Sequence, residues 1–368
     1  MRTIRRWIYR EVTLTVAFVV LGFLSLFSFF DLVSEVQSLG NHGAAPYQLQ
    51  HALLYILLLM PNHVYELLPI GVLIGTIFVM ARLAQSSEFT ILRTSGLGPW
   101  RALITLLALG VLYVVATFLV GDYLAPLSDR NAQLLKARFQ GQITSGQTGA
   151  WLRERQSYAQ YVVNVRALDA DGRMRGIQLF EFDNRGLLVS ATEADSAQMT
   201  SGDAWLLQSV QRMEFPDVRN HDSPTQRHTL SALRWPNQLT AEMVSAALLQ
   251  PERMRTVDLF RYIRHLEANG QSAQRYAIEF WKKVFYPISC LVMVVLALPF
   301  AYLHFRGGGI AGYVFGGVMA GISFFLLNNI FGYMGTLQNW QPWLTAALPG
   351  LFYSAISLTA FGWLVLRR

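Results

Sequence analysis

Cysteine is nearly missing from this chain: Cys290 is the single one in 368 residues. No disulfide can form within the chain and no cysteine-based metal site exists. Inside its apolar run, Cys290 reads as a small buried side chain. Charge is scarce as well. Asp, Glu, Lys and Arg make up 14% of the residues against 53% hydrophobic, a membrane composition with room for one soluble domain. The formal net charge is +7 and the basic residues are mostly Arg. They mark the edges of apolar runs and do not interleave with aromatics in one patch, so nucleic acid is not an expected partner.

The motifs of catalysis are missing too. There is no G-x-x-x-x-G-K-[ST], no H-E-x-x-H and no G-x-S-x-G. The triple glycine 307–309 lacks the Lys and hydroxyl of a phosphate loop and reads as a turn. The seven histidines include no i, i+4 pair, and His51 and His63 are too far apart on one helix to hold a metal together. No aspartate pair lies within the apolar runs. The chain is therefore expected to hold no metal or cofactor and to be no enzyme; any work it does must be powered by a partner.

What is present is a set of long apolar runs. Four arginines lie in the first ten residues, and a first span follows from about Val12 to Phe30, continuing to about Val36. No small-residue cleavage site follows it, so a span is expected and not a removed signal peptide. Asp31 and Glu35 sit one turn apart at its outer end and read first as solvated interfacial carboxylates. A second span is predicted over about His51–Met80. Pro61 and Pro69 should kink it, Gly71 and Gly75 form a close-packing face, and Glu66 is the most buried-looking acid. A third span runs from about Trp100 to Leu124, with Pro126 ending it. Residues 130–265 are polar, with alternating segments at 158–166, 176–182 and 204–215. Turn signals at Asp171-Gly172, Asn184-Arg185-Gly186 and Ser201-Gly202-Asp203 separate them, which predicts short antiparallel strands in a sandwich or roll. A helical connector, TVDLFRYIRHLEANG, leads to a fourth span over about Phe280–His304. A fifth, at about Ile310–Ile330, carries Gly312, Gly316, Gly317 and Gly321, and a sixth covers about Trp343–Leu366.

Charge orients these spans. The N-terminus, residues 82–101, Arg306 and Arg367-Arg368 are basic, while the loops 37–50 and 331–342 contain no Lys or Arg. The positive-inside rule places both termini in the cytoplasm, and the polar domain between spans three and four on the other side. The layout is three spans, an exported β domain, and three more spans.

The stretch RLAQSSEFTILRTSGLGPWR (82–101) stands out between two apolar runs. Ser86 and Ser87 suit a helix start, Glu88 suits its first turn, and Phe89, Ile91 and Leu92 give it an apolar side. Gly96, Gly98 and Pro99 end it. A short amphipathic helix here is either an interfacial helix among headgroups or a docking helix for a groove on a soluble partner.

Four stretches together resemble the LptF/LptG (YjgP/YjgQ) permeases of the lipopolysaccharide exporter. They are YELLPIGVLIGTIFVMARLAQSSEFTILRTSG (65–96), FDLVSEVQSLG after span one, DLFRYIRHLEANGQ before span four, and FWKKVFYPISCLVMVVLALPFAYLHFRGG through it. The likeness covers essentially the whole chain, and FDLVSE, YELLP and S-E-F-x-x-L-R-x-S-G are similar to the LptG branch. The resemblance implies an α-helical membrane protein with six transmembrane helices (3+3) and an inserted all-β periplasmic domain, a β-jellyroll. Residues 1–128 would hold spans one to three with a coupling helix at 84–95. Residues 129–255 would be the periplasmic domain, and 256–368 the connector with spans four to six.

The resemblance further implies a bacterial inner-membrane subunit paired with the paralogue LptF on a dimer of the LptB ATPase, where ATP and Mg would bind. LptC would add a transmembrane helix beside span one and a periplasmic bridge for the lipopolysaccharide. Glu88, Phe89, Leu92 and Arg93 would engage the ATPase, with Glu88 meeting a basic residue there. The lipid cavity would be lined by Phe23, Phe27, Phe30, Asp31, Glu35, Glu66, Gly312 and Gly316, with lateral gates at spans one and five. Candidate cations for its phosphates are Arg130, Lys136, Arg138, Lys282 and Lys283, each of which equally suits anchoring of a helix end. Family members from enterobacteria carry lysines at the outer end of span one. This chain has Asp31 and Glu35 there, which shifts phosphate contacts to spans three and four, to the paralogue, or to a divalent cation bridging either acid to phosphate. The competing readings are a permease of another lipid-exporting ABC system and a non-transporting membrane scaffold with a periplasmic β domain.

Overall fold

The computed structural model describes residues 2–37, 47–94, 96, 98–140, 143–144, 149–156, 158–169, 173–200, 204–215, 225–237, 239, 243–244, 251–302 and 310–363. The Gly307–Gly309 turn, Arg306, the terminal arginines and the turn pairs Asp171-Gly172 and Ser201-Gly202-Asp203 lie outside them. The chain divides into two units. One holds residues 1–35, 56–129 and 274–368; the other holds 36–55 and 130–273.

Among the described residues five helices are long and apolar enough to cross a membrane, and a sixth span follows if one bent pair counts as one. These helices are α1 (Arg2–Val36), α2 (Leu49–Gln85), α4 (Pro99–Leu119) with its continuation α5 (Ala125–Gln140), α9 (Ile310–Leu337) and α10 (Pro342–Phe361). Between α2 and α4 lies the short α3 (Glu88–Thr94). The bent pair is α7 (Gln274–Phe285) and α8 (Ser289–Ala297), the latter running into a 3-10 turn at Leu298–Tyr302, with 46° between the two arms.

Helix α2 is the centre of the membrane unit, its second half almost wholly buried. Val12, Val16, Val20 and Leu24, four residues apart on α1, share one buried cluster with α2 residues Leu68, Val72, Val79 and Leu83. Glycine makes this approach possible. A Cβ on Gly75 would lie 2.7 Å from Val16 Cγ2 and 2.9 Å from its backbone N, and one on Gly71 would lie 2.5 Å from Val20 Cγ2. On the side facing α9 the roles reverse: Gly317 and Gly321 receive Ile77 and Ile70 of α2. The small-residue seam expected at Gly71 and Gly75 is therefore a contact with α1.

Prolines separate the observed spans from the expected ones. Helix α2 continues through Pro61 and Pro69 and ends only at Gln85, so the expected 84–95 helix is confined to α3. Span three does not stop at Pro126. A π-helical turn at Val120–Leu124 lets the helix run on to Gln140, because its wider ring moves the carbonyls out of the path of the proline ring. Span four, expected as one helix, breaks around Pro287 instead.

Among the described residues the second unit is built on seven antiparallel strands: β1 (Ile143–Thr144), β2 (Ala150–Arg155), β3 (Gln160–Leu168), β4 (Met174–Phe182), β5 (Leu188–Thr200), β6 (Ala204–Glu214) and β7 (Gln226–Pro236). β3 to β7 pair successively, and β1 and β2 both pair with β3. This is the order of a meander; among the described residues no connection crosses as in a Greek key. Alternation drives it: Tyr161, Val163 and Val165 on β3 are buried against Leu179 and Ile177 on β4. Trp205 is fully buried, donates its indole N–H to the Leu239 carbonyl at 2.8 Å, and meets the Trp235 ring edge to face. The Asn184-Arg185-Gly186 turn joins β4 to β5 as expected. Asp183 accepts the Arg185 and Leu187 amides, and Gly186 takes φ +81. The connector is α6 (Thr256–Ala268). Gly270 at φ +65 closes it, the amides of residues 270 and 271 returning to the carbonyls of Glu267 and Leu266, as a Schellman motif requires.

Candidate functional site

Helix α3 begins at a sharp turn in which Ser87 takes φ +61 and its carbonyl accepts the Ile91 amide. Phe89 is buried with its ring edge on Tyr302, centroids 5.0 Å apart, and Leu92 packs on the same cluster. The opposite face presents Glu88, Ile91, Arg93 and Thr94 to the outside, with Ile91 63% exposed. Arg101 donates to the Gly96 carbonyl at 3.1 Å and braces the exit. Glu11 and Arg82 pair at 2.6 Å and join α1 to the end of α2. Of the expected contact residues, Phe89 and Leu92 therefore anchor α3, whereas Glu88 and Arg93 are exposed. Ile91 was outside that set. An apolar residue on a short helix looks like core until the fold shows which side the anchors occupy.

The expected cavity residues fall into separate groups. Phe27 and Phe30 are exposed on α1, while Phe23 packs partly into the core. Asp31 is not simply solvated: its carboxylate lies 2.7 Å from His63 Nε2, and the His63 ring lies 5.4 Å from that of Phe27. Glu35, read as interfacial, is buried at 5% exposure. One turn further along α2, Asn62 donates to Glu66 Oε1 at 3.0 Å. The Glu66 carbonyl accepts the Tyr286 hydroxyl at 2.6 Å. Gly312 and Gly316 face outward on α9, where an added Cβ would meet nothing; Gly317 and Gly321 make the helix contact.

The candidate cations also divide. Lys282 pairs with Glu279 at 2.7 Å and fills the space over Gly332. Lys283 is buried and donates to the Gly121 carbonyl at 3.3 Å. Lys136 Nζ sits 4.7 Å over the Tyr55 ring, a cation–π geometry. Arg130 is exposed, and the Arg138 side chain lies outside the described residues. Sequence reasoning did not select His63, Asn62, Gly121 or Tyr286. His63, Gly121 and Tyr286 find their partners 32, 162 and 220 positions away, and no local pattern announces such pairs; Asn62 meets Glu66 at the i, i+4 spacing of one helix face, a signal the sequence did carry.

Six spans, an inserted antiparallel sheet and a short two-faced helix between spans two and three are the frame in which these groups sit. A sequence profile of the family described as "Lipopolysaccharide export system permease LptF/LptG" matches residues 6–366. The chain belongs to the LptF/LptG family. Curated relatives agree along the full length. A protein of Escherichia coli (strain K12) named "Lipopolysaccharide export system permease protein LptG" is 26% identical over 353 residues, 95% of each chain. One of the same name from Haemophilus influenzae is 24% identical over 369 residues, 100% of this chain and 99% of its own. The membrane-spanning architecture with an inserted β unit is thus that of a lipopolysaccharide export permease family member.

Proposed function

We propose that this chain is the LptG-type permease of an ABC transporter that extracts lipopolysaccharide from the bacterial inner membrane and passes it toward the outer membrane. In this reading it pairs with LptF on an LptB ATPase dimer, with the LptC helix beside α1. The chain itself is not a catalyst: ATP and Mg act on the ATPase, and α3 carries the resulting motion into spans two and three. Both termini are cytoplasmic, and the β unit is periplasmic.

The observation that carries this reading is the division of α3 into an anchored and an offered face. Phe89 and Leu92 tie it to the membrane core, so a force on Glu88, Ile91 or Arg93 is transmitted to the spans. A helix merely lying among headgroups would turn its apolar side outward and leave no such anchor. On the outer side, exposed Phe27 and Phe30 suit acyl chains. Of the expected cations, exposed Arg130 suits a phosphate, whereas Lys282 and Lys283 are engaged inside the membrane unit and Lys136 lies over the Tyr55 ring.

The test is ATP-dependent release of lipopolysaccharide from proteoliposomes holding this chain, its paralogue and the ATPase. The native complex releases lipid, and Glu88→Ala reduces release. A native complex that hydrolyses ATP without releasing lipid refutes export and favours the scaffold.

A further inference from the structure

Span three changes its hydrogen-bond register just before Pro126. In the π turn the Ala125 amide donates to the Val120 carbonyl. The next amide in that register would serve Gly121, but it belongs to residue 126, and proline has none. A backbone carbonyl without a donor is costly at membrane depth, where no water replaces it. The donor comes from another span: Lys283 of α7 places Nζ 3.3 Å from the Gly121 oxygen, with its side chain buried. Residue 121 must be glycine for this packing, because a Cβ there would lie 2.3 Å from the Tyr65 ring of α2. Tyr65 in turn lies against Tyr286, with ring centroids 5.1 Å apart. Three spans therefore meet at one carbonyl.

We propose that Lys283 is a positioning residue for export: its ammonium replaces the amide that Pro126 lacks and holds the π turn of span three to the first arm of the broken span four. This rests on the transport reading above. The contact joins the two helices through which the chain leaves the membrane unit near Asp129 and re-enters it at Gln274. Motion of one connector is thereby shared with the other. It also removes Lys283 from the lipid-phosphate contacts.

The discriminating experiment pairs Lys283→Met with Pro126→Ala in the full complex. Alanine at 126 returns the missing amide, so it should compensate for the lost lysine and for nothing else. Hydrogen exchange of the Leu124 and Ala125 amides in nanodiscs and ATP-driven lipopolysaccharide release are both read. In Lys283→Met, exchange accelerates roughly tenfold or more, as expected for loss of a charged hydrogen bond, and release falls. In the double variant both return toward the native values. Unchanged exchange in Lys283→Met overturns the proposal. So does a loss that Pro126→Ala fails to restore, the outcome expected of a phosphate ligand. Exchange judges the contact whether or not the native complex releases lipid, so failure of the transport reading is seen separately.

Discussion

Substituting Gly75 by Ala is the sharpest perturbation of the α1–α2 seam. The new Cβ would stand 2.7 Å from Val16 Cγ2 and 2.9 Å from the Val16 Cα and N. Carbon atoms rest at about 3.5–4.0 Å, so α1 must move outward by several tenths of an ångström or more. A side-chain rotation cannot relieve the overlap, because two of the three nearest atoms are backbone. Overpacking of this kind costs about 1–3 kcal/mol. The exchange of Gly for Ala in a helix returns about 1 kcal/mol, leaving a net loss of about 0–2 kcal/mol. Gly22→Ala on α1 is the control, because its Cβ meets no atom within 4 Å and only the helix term of about 1 kcal/mol remains. The two variants should therefore differ by about 1–3 kcal/mol in reversible unfolding of the purified subunit in micelles. Equal stability of the two, or a stabilised Gly75→Ala, would refute the close approach of α1 to α2 on which the membrane core depends.

Two further outcomes follow from single contacts. Removing Asp31 breaks its link to His63 and should cost about 1.5–3 kcal/mol, the range of a hydrogen bond to a charged group; a double-mutant cycle with His63→Ala giving no coupling would show that the pair does not join α1 to α2. In the β unit, the Leu187 and Arg185 amides and the Arg185 charge hold the Asp183 carboxyl below the usual carboxylate range. A lowered folded value means that the turn is favoured above about pH 4, the unfolded carboxyl value, and loses that contribution as pH falls through the lower, folded one. The Leu187 amide resonance should therefore titrate with a midpoint below about 3.9, and a midpoint at or above that value contradicts the turn.

How much of this was legible in the sequence depended on the range of the interaction. The spans and the strand region could be read because hydropathy and alternation are local and repeat. Gly71 and Gly75 could be read as a packing face from their spacing, though not the identity of the partner. Prolines misled in two directions. Pro126 reads as a stop, yet a π turn absorbs it, while Pro287 sits in an apolar run that reads as unbroken and breaks the span. The candidate site was legible as residue types and only partly as roles. Phe89 and Glu88 are adjacent in sequence but lie on opposite faces of α3, one anchoring and one offered. Lys283 reads as a cation at a lipid-facing rim because nothing nearby in sequence shows that a carbonyl 162 residues away needs a donor.

The claim that α3 docks on the ATPase is most directly tested at Ile91. The single native cysteine, Cys290, is buried, so Ile91→Cys provides a unique reactive thiol. In the assembled complex this thiol should be shielded from a membrane-impermeant maleimide and should cross-link to the ATPase subunit. It should react freely when the ATPase is left out. Equal labelling with and without the ATPase, and no cross-link, would contradict the docking role and return α3 to the headgroups.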